Sequence, residues 1–515
     1  MRWIINTARR REKGAALPLV AGMLAVLIAL TAFAVDLGWF YLNASRIQKA
    51  ADAGALAGVI RMPYEFNRAV DDARATAKAN GYEHGVDDVE VIVEEVPSDP
   101  NQIDVTVTDT VDTFFARIFG METVTITRSA RAEFIPPLRM GSPTGTFGNE
   151  CNPKDSGCTG QPNFWANIHG VYTSVSMGDA FGPACNGTSG SKSCTQNPSY
   201  RERGYLYGIE PNGPFEVQFI DIVHRNIADG ENCPGNTSGT PDYCTSDHMR
   251  TGDRGCEDWT ASSHKYREDC GQPVIVNLYE PSPNPMELAG RTPICTHTFE
   301  PEPQVAANDP YVWERPPKEC FTVNSPKPGV YVLQVKLKEP ARADYSGLNR
   351  YSVRTTSGKI YGLGDISLYN NFKGSSTEFW LAEVPKSYAG KTFVVELFDP
   401  GDAESGVSNI MQVLGPGGVQ IPTCQLNTRP TVNHDWVPLN TKNNNPVATP
   451  CQLNATRPDN NFDNKWVQVV VNLPSDYDCS DCWWKIRYNF SGTTEDTTTW
   501  RAYIVGNPIH LIPQG

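Results

Sequence analysis

The chain lacks the features that mark common enzymes and nucleic-acid-binding proteins. HExxH, GxSxG, P-loop and GxGxxG motifs are absent, and the eight histidines show no spacing typical of metal ligands. Basic residues are few, with 44 Lys and Arg against 58 Asp and Glu and a formal net charge of −14. Because nucleic-acid-binding surfaces neutralise phosphates with Lys and Arg, this charge balance argues against nucleic acid as a partner. We therefore expect a protein that is not an enzyme.

Cysteine is absent from the first 150 residues, although the chain contains 14 cysteines. An even number confined to one region favours a disulfide framework and an oxidising compartment. Loop length favours the pairs Cys151 with Cys158, Cys185 with Cys194, Cys233 with Cys244, Cys256 with Cys270, Cys295 with Cys320, and Cys424 with Cys451; other pairings stay open. The remaining CxxC, Cys479 and Cys482, favours a structural disulfide, with a redox pair or half a zinc site as alternatives.

One hydrophobic run is long enough to cross a membrane. Ala15 to Val35 is uncharged over 21 residues, and a helix rising ~1.5 Å per residue would span a ~30 Å hydrocarbon layer. Basic residues at 9–13 precede the run and Asp36 follows it, so the positive-inside bias predicts a cytoplasmic amino terminus and an exported remainder. A cleaved secretory signal is the alternative, but this run exceeds the usual apolar core of a signal and lacks an A-x-A boundary. We predict a retained single-pass anchor, with the lipid bilayer as one partner.

The helical pattern continues beyond Asp36 and predicts one rod of roughly 65 to 70 Å. Small residues recur every four positions, at Ala21, Ala25 and Ala29 in the span and at Ala50, Gly54 and Gly58 beyond it. Such ladders let helix backbones approach closely, so they predict packing against a helix of another protein. The alternative is that small residues are simply frequent in membrane helices. The aromatic residues at 39–41 are placed to anchor the outer interface.

The first 60 residues resemble a known family. The features that carry this resemblance are the basic stretch at 9–13, Gly14 before the span, Asp36 closing it, and the alanine-rich segment Ile47 to Val59. They are similar to the amino-terminal segment of TadE/TadG-like proteins of the tight-adherence (Flp) pilus machinery. The resemblance implies a structural or minor-pilin-like component of pilus assembly in the bacterial cytoplasmic membrane, without enzymatic activity. It implies contacts with other pilus or secretion components through the amino-terminal helix.

Two features associated with such proteins are missing. Pilin-type processing after a glycine wants Glu at the fifth position of the mature chain, and counting from Ala15 that position is Leu19. A von Willebrand A metal site begins D-x-S-x-S, whereas the nearest string, Asp365 to Tyr369, ends in tyrosine. The sequence therefore favours neither cleavage after Gly14 nor a von Willebrand A domain.

The exported chain divides into unlike portions. Helical spacing over 64–80 and valine or isoleucine alternation at 89–93, 103–107 and 124–126 predict a small α+β domain. A short amphipathic helix ending at Gly120 is predicted between its second and third strands. Beyond a Pro/Gly linker, alternating strands and long loops predict β-sandwiches, and the repeat of Cys-Gln-Leu-Asn at Cys424 and Cys451 favours two of them.

The predicted fold class is thus α+β, with a transmembrane helix extending into a small α+β domain and then a disulfide-rich all-β, sandwich-like region. The predicted organisation is a cytoplasmic basic segment (1–14), the membrane helix and its extension (15–60), the small α+β domain (61–135), a Cys-rich β region (136–340) and a second β-sandwich-like region (341–515). The membrane topology keeps the amino terminus in the cytoplasm and places the bulk of the chain, beyond the membrane helix, in the periplasm or at the cell surface.

Two kinds of ligand stay open. Asp399, Asp402 and Glu404 offer carboxylates in a turn, as Ca²⁺ prefers, with a plain acidic turn as the alternative; no other cofactor is expected. Aromatic side chains on a β-sandwich can stack on sugar rings, so glycan or other ligand binding is the alternative function. The candidate residues are Trp380, Trp436, Trp466, Trp483, Trp484 and Trp500, for which burial in the core is the other interpretation.

Overall fold

The computed structural model describes most of the chain, and its elements fall into two compact units. The described residues are 16–62, 66–97, 99–148, 164–170, 175, 178–183, 197–220, 227–228, 248–249, 257–258, 265–266, 273–299, 316, 319–338, 348–373, 376–400, 409–430, 433–439, 447–455, 462, 464–490, 493–506 and 509–513. Residues 1–135 and 507–515 make the first unit, here called the α+β unit, and residues 136–506 make the second, the β-sandwich unit.

Two helices open the chain, α1 (Ala16–Val59) and α2 (Phe66–Ala79). The described strands are β1 (Glu90–Glu95), β2 (Gln102–Asp112), β3 (Thr123–Phe134), β4 (Arg139–Met140), β5 (Thr146–Phe147), β6 (Phe164–His169), β7 (Tyr205–Glu210), β8 (Phe215–Ile220), β9 (Ile227–Ala228), β10 (His248–Met249), β11 (Glu257–Asp258), β12 (Lys265–Tyr266), β13 (Val274–Tyr279), β14 (Cys295–Phe299), β15 (Thr322–Val323), β16 (Tyr331–Leu337), β17 (Leu348–Thr355), β18 (Lys359–Leu363), β19 (Asp365–Lys373), β20 (Ser376–Glu383), β21 (Thr392–Phe398), β22 (Asn409–Leu414), β23 (Cys424–Arg429), β24 (Val437–Pro438), β25 (Val447–Ala448), β26 (Gln452–Asn454), β27 (Trp466–Asn472), β28 (Trp483–Phe490), β29 (Thr493–Ile504) and β30 (Ile509–Ile512). Short 3₁₀ helices lie at Ala116–Phe119, Glu319–Phe321, Lys386–Tyr388 and Pro416–Gly418.

The α+β unit packs its two helices on an antiparallel sheet. The predicted rod is one helix of 44 residues, α1, which at ~1.5 Å per residue measures about 66 Å. The sheet has the order β1-β2-β3-β30. Alternation places Val91, Ile103 and Val105 on the buried face, where small side chains such as Ala69 and Ala73 of α2 let the helices lie close.

The last strand of the α+β unit comes from the end of the chain. In β30, Ile509 pairs with Phe134 and Ile512 pairs with Arg131 of β3. The prediction that all of 341–515 forms a second sandwich is therefore wrong for 507–515. The β-sandwich unit is inserted between two strands of one sheet. This arrangement left no local signal, because a four-residue alternating strand looks the same whichever sheet it joins.

Two large sheets make up most of the described part of the β-sandwich unit, beside two small pairs, β9 with β10 and β11 with β12. Sheet A has the order β14-β13-β16-β7-β18-β4-β20-β28-β22-β26, and sheet B has the order β15-β8-β17-β6-β19-β29-β21-β27-β23-β24, with β5 on β17 and β25 on β23. Aromatic side chains join the sheets face to face. Phe379 of sheet A lies 4.9 Å from Phe164 and 5.1 Å from Trp500 of sheet B, between ring centroids, and Trp484 lies 4.9 Å from Phe393. Such pairs contribute beyond their buried area.

Strands from both sides of residue 340 alternate within these sheets. Residues 359–362 of β18 pair with 207–210 of β7, and β17 pairs with both β6 and β8. The boundary predicted between 340 and 341 therefore does not separate two sandwiches. The repeat that favoured two domains does not mark two sandwiches. Its first copy lies in β23 of sheet B and its second copy in β26 of sheet A.

Three of the predicted cysteine pairs fall within the described residues, and each is bridged. They are Cys295 with Cys320, Cys424 with Cys451, and Cys479 with Cys482, at Cα separations of 5.4, 5.1 and 5.1 Å. The Cys424–Cys451 bridge connects the two copies of the repeat and thus ties sheet B to sheet A. The other eight cysteines lie outside the described residues, so their predicted pairings stay predictions.

Candidate membrane-anchor site

The first half of α1 presents its apolar side chains outward. An 18-residue window of this helix has a mean hydropathy of 2.4, and none of that window is buried against the rest of the described chain. Its large side chains are 45 to 80% exposed between Leu17 and Val35. A helix of this length and composition is a candidate membrane span, because lipid is a medium in which such a surface is not penalised.

The two ladders of small residues have different surroundings. Ala21, Ala25 and Ala29 are exposed, whereas Ala50, Gly54 and Gly58 are buried within the α+β unit. A Cβ added at Gly58 would lie 2.7 Å from the carbonyl oxygen of Ala69 and 2.8 Å from Cδ1 of Ile103. The prediction that the second ladder packs against another protein is therefore wrong. The absence of side chains at Gly54 and Gly58 lets α2 and β2 of the same chain approach.

Asp36, directly after the span, holds a loop that comes from far along the sequence. Its carboxylate accepts hydrogen bonds from the backbone N–H groups of Phe114 at 2.9 Å, Phe115 at 3.1 Å and Ala116 at 2.7 Å. These N–H groups lie at the start of the 3₁₀ helix Ala116–Phe119. The side chain of its N-cap residue, Phe115, makes no capping hydrogen bond. The carboxylate thus satisfies donors that would otherwise be orphaned at a helix start. The sequence marks Asp36 as the end of the span but contains no local signal for this role, since its partners lie about 80 residues away.

The residues that Asp36 holds form the loop between β2 and β3, here called the Phe114 loop (residues 113–122). Trp39 packs edge-on against Phe114, with 5.3 Å between the ring centroids. The hydroxyl of Thr113 donates to the carbonyl of Met121 at 2.6 Å and closes the loop. The predicted amphipathic helix is here a single 3₁₀ turn, and its apolar side chains face outward, with Phe119 81% exposed.

We expect Asp36→Ala to release the Phe114 loop. The substitution removes the acceptor for three backbone donors, so the amides of 114–116 should exchange with solvent faster. Hydrogen exchange of a peptide covering the loop, measured on the full chain in detergent, checks this result. Asp112→Ala, which removes an exposed carboxylate at the end of β2, is the matched control and should leave the exchange unchanged. Equal protection in both variants would contradict the role of Asp36.

A second polar cluster lies inside the β-sandwich unit. Asp179 is 1% exposed and accepts hydrogen bonds from the hydroxyl of Tyr205 at 2.6 Å and from the backbone N–H of His169 at 2.9 Å. Burial raises the pKa of Asp179, and burial together with the charge of Arg350 lowers the pKa of His169 to about 3. Because His169 offers its backbone rather than its imidazole, the two residues do not form a proton-relay pair. We interpret the cluster as structural.

The buried imidazole predicts loss of stability in acid. The pKa of His169 is lower in the folded state than the ordinary 6.5. The neutral imidazole therefore contributes fully to the free energy of unfolding above pH 6.5. This contribution falls at lower pH, because the imidazole of the unfolded chain then takes up a proton. Linkage gives a loss of about 2 kcal/mol between pH 7 and pH 5. His169→Gln, which cannot titrate, should reduce this acid-induced loss, measured by urea unfolding of the full chain in detergent. The raised pKa of Asp179 acts in the opposite direction and is present in both proteins. Identical pH dependence would contradict the assignment.

The six candidate tryptophans do not form an open stacking platform. Trp466, Trp483, Trp484 and Trp500 are buried. The two others are partly exposed, and each has a cation over its ring: Arg429 lies 4.1 Å from the ring centroid of Trp436, and Lys485 lies 4.1 Å from that of Trp380. These cations occupy ring faces on which a sugar would stack. Glycan binding therefore has no supporting observation in the described residues.

Of the three residues in the calcium prediction, the structure describes only Asp399, so the prediction stays a prediction. The carboxylate of Asp399 accepts a hydrogen bond from the backbone N–H of Asn464 at 2.7 Å, and Asp402 and Glu404 lie outside the described residues. Across the parts of the chain that the structure describes, no group of three or more His, Cys, Asp or Glu side chains is placed to hold a metal ion. Asp365, in the string nearest to a von Willebrand A motif, instead pairs with Arg201 and Arg203.

The described residues contain one candidate membrane helix, which continues into the α+β unit, together with a large β-sandwich. Residues 14–71 match the family model described as putative Flp pilus-assembly TadE/G-like. The resemblance predicted for the amino-terminal segment is thereby confirmed, and it extends from Gly14 into α2. No curated protein and no solved structure showed a significant match to the chain.

Proposed function

We propose that this protein is a structural component of a Tad-type (Flp) pilus-assembly system, anchored in the cytoplasmic membrane of a bacterium by one helix. It acts through protein–protein contacts in pilus biogenesis, secretion or adhesion and has no enzymatic activity. The TadE/G-like match over residues 14–71 carries this proposal. The exposed apolar half of α1 supports it, because a soluble protein rarely leaves such a surface in water.

The proposed topology places the amino terminus in the cytoplasm and the chain that follows the span, from Asp36 onward, beyond the membrane. The charges before the span support this orientation, since Arg9, Arg10, Arg11 and Lys13 outnumber the single Glu12. The three bridges between 295 and 482 support it independently, because disulfides persist in oxidising compartments. Protease added to spheroplasts should digest the β-sandwich unit, and protection of that unit in sealed spheroplasts would contradict the topology.

The proposed contact with other pilus components lies within the membrane. Of the two ladders, only Ala21, Ala25 and Ala29 are exposed, so this face of α1 is available to a helix of a partner. Small residues allow a close backbone approach, which drives helix association in lipid through packing rather than through the hydrophobic effect. The second ladder is used within the chain and does not contribute.

Purification of the protein from mildly solubilised membranes tests this proposal. Pilus subunits should be recovered with the wild-type chain. Ala25→Leu should lower their recovery, because the larger side chain separates the backbones. Val26→Leu, one residue along the same helix, should leave recovery unchanged. Absence of pilus or secretion subunits from the wild-type preparation would contradict the function, and equal recovery with Ala25→Leu would contradict the contact.

A further inference from the structure

The Phe114 loop is fixed at the end of the span. The helix from Ala16 to Val35 has the length of the hydrocarbon layer, which ~20 residues cross at ~1.5 Å each. Asp36 therefore falls at the edge of that layer. Its three hydrogen bonds hold residues 114–116 within 3.1 Å of the carboxylate, so the loop lies at the same depth as the end of the span.

The side chains of the loop suit a lipid surface. Five large apolar residues are exposed: Phe114 (50%), Phe115 (40%), Ile118 (76%), Phe119 (81%) and Met121 (55%). Five exposed large apolar side chains on one short loop are uncommon on a surface that faces only water. Phe is among the side chains that amphipathic segments bury at the boundary between lipid head groups and acyl chains.

The exposed face of the hairpin formed by β2 and β3 becomes polar beyond the Phe114 loop. On the exposed face of β2 and β3, Thr108 pairs with Thr127 and Thr110 pairs with Thr125 through their hydroxyl groups, at 3.0 and 3.3 Å. Apolar exposure on this hairpin is thus concentrated at the end that Asp36 ties to the span, and a polar face follows further along the strands. This order matches the change from lipid to water along the membrane normal.

We propose that the Phe114 loop inserts into the interfacial layer of the bilayer and forms a second membrane contact beside the helix. The proposal rests on the membrane anchor proposed above. Lipid is the occupant because the loop is continuous with the membrane-spanning segment through Asp36 and Trp39. Two contacts with the bilayer restrict the tilt of α1 and of the sheet packed on it more than the helix alone does.

Site-specific photocrosslinking tests the insertion. The full chain is reconstituted in vesicles of phosphatidylethanolamine and phosphatidylglycerol, with p-benzoylphenylalanine in place of Phe119, Leu24 or Leu511 in separate samples. Leu24 lies in the span, whereas Leu511 is an exposed apolar residue of β30 beside Ala132, at the other end of β3. Since Phe119 is 81% exposed, its replacement disturbs little packing. Mass spectrometry then identifies the adduct at each position.

We expect phospholipid adducts at positions 24 and 119 and none at 511. A phospholipid adduct at 24 without one at 119 would overturn the insertion and leave the anchor intact. A protein adduct at 119 in cell membranes, in place of lipid, would equally overturn it and identify the loop as a protein-binding surface. Absence of lipid adducts at 24 would overturn the anchor itself, and the insertion with it.

Discussion

Gly58→Leu should disrupt the packing of α1 against α2 in the α+β unit. Even a Cβ at this position would meet the carbonyl oxygen of Ala69 at 2.7 Å, and a backbone atom in a helix cannot turn away as a side chain does. Overpacking of this kind costs ~3 kcal/mol or more when the neighbours cannot move. Local opening free energies from amide hydrogen exchange of peptides covering 47–59 and 66–79 measure the loss in the full chain.

Gly38→Leu is the matched control on the same helix. A Cβ at Gly38 would meet nothing within 4 Å, so the substitution tests the loss of glycine without the steric clash. Leucine has a higher helix propensity than glycine, and the control should be neutral or more stable by up to about 1 kcal/mol. Similar destabilisation by both substitutions would show that close packing at Gly58 is not the cause.

Removing the bridge between the two sheets should give the largest effect in the β-sandwich unit. The double variant Cys424→Ala with Cys451→Ala opens a loop with a sequence separation of 27. Loop-closure entropy then predicts a loss of about 3 to 4 kcal/mol. Urea unfolding of the full chain in detergent, followed by tryptophan fluorescence, measures the change, since Trp466, Trp484 and Trp500 are buried in this unit.

The CxxC bridge is the natural comparison. Cys479→Ala with Cys482→Ala opens a loop with a separation of only 3, for which the same relation predicts about 2 kcal/mol. The decisive result is which of the two double variants loses more free energy of unfolding. A larger loss from the CxxC pair would mean that the Cys424–Cys451 bridge adds little to the attachment of sheet B to sheet A.

Local patterns predicted the elements well where each element contains its own signal. The helical spacing over 64–80, and the alternation of Val91, Ile103 and Val105, predicted a helix and two strands that the structure contains. The CxxC bridge was also predicted, ahead of a redox pair or half a zinc site, because the chain has twelve other cysteines and no βαβ pattern surrounds this motif. The Phe114 loop was predicted as a short amphipathic helix and is a single 3₁₀ turn, because spacing alone does not say what covers an apolar face.

The sequence alone determined that the chain has one membrane-length helix, that this helix continues as a rod, and that a strand-rich, disulfide-bonded region follows. These properties depend on composition and on periods of two or 3.6 residues, which are local. Only the tertiary structure decided that Gly58 packs within the chain, that Asp36 holds residues 114–116, that strands from both sides of residue 340 share each sheet, and that β30 returns to β3. Each of these depends on residues far apart in sequence, whose pairing is selected by packing and hydrogen-bond satisfaction in the whole fold rather than by any local pattern.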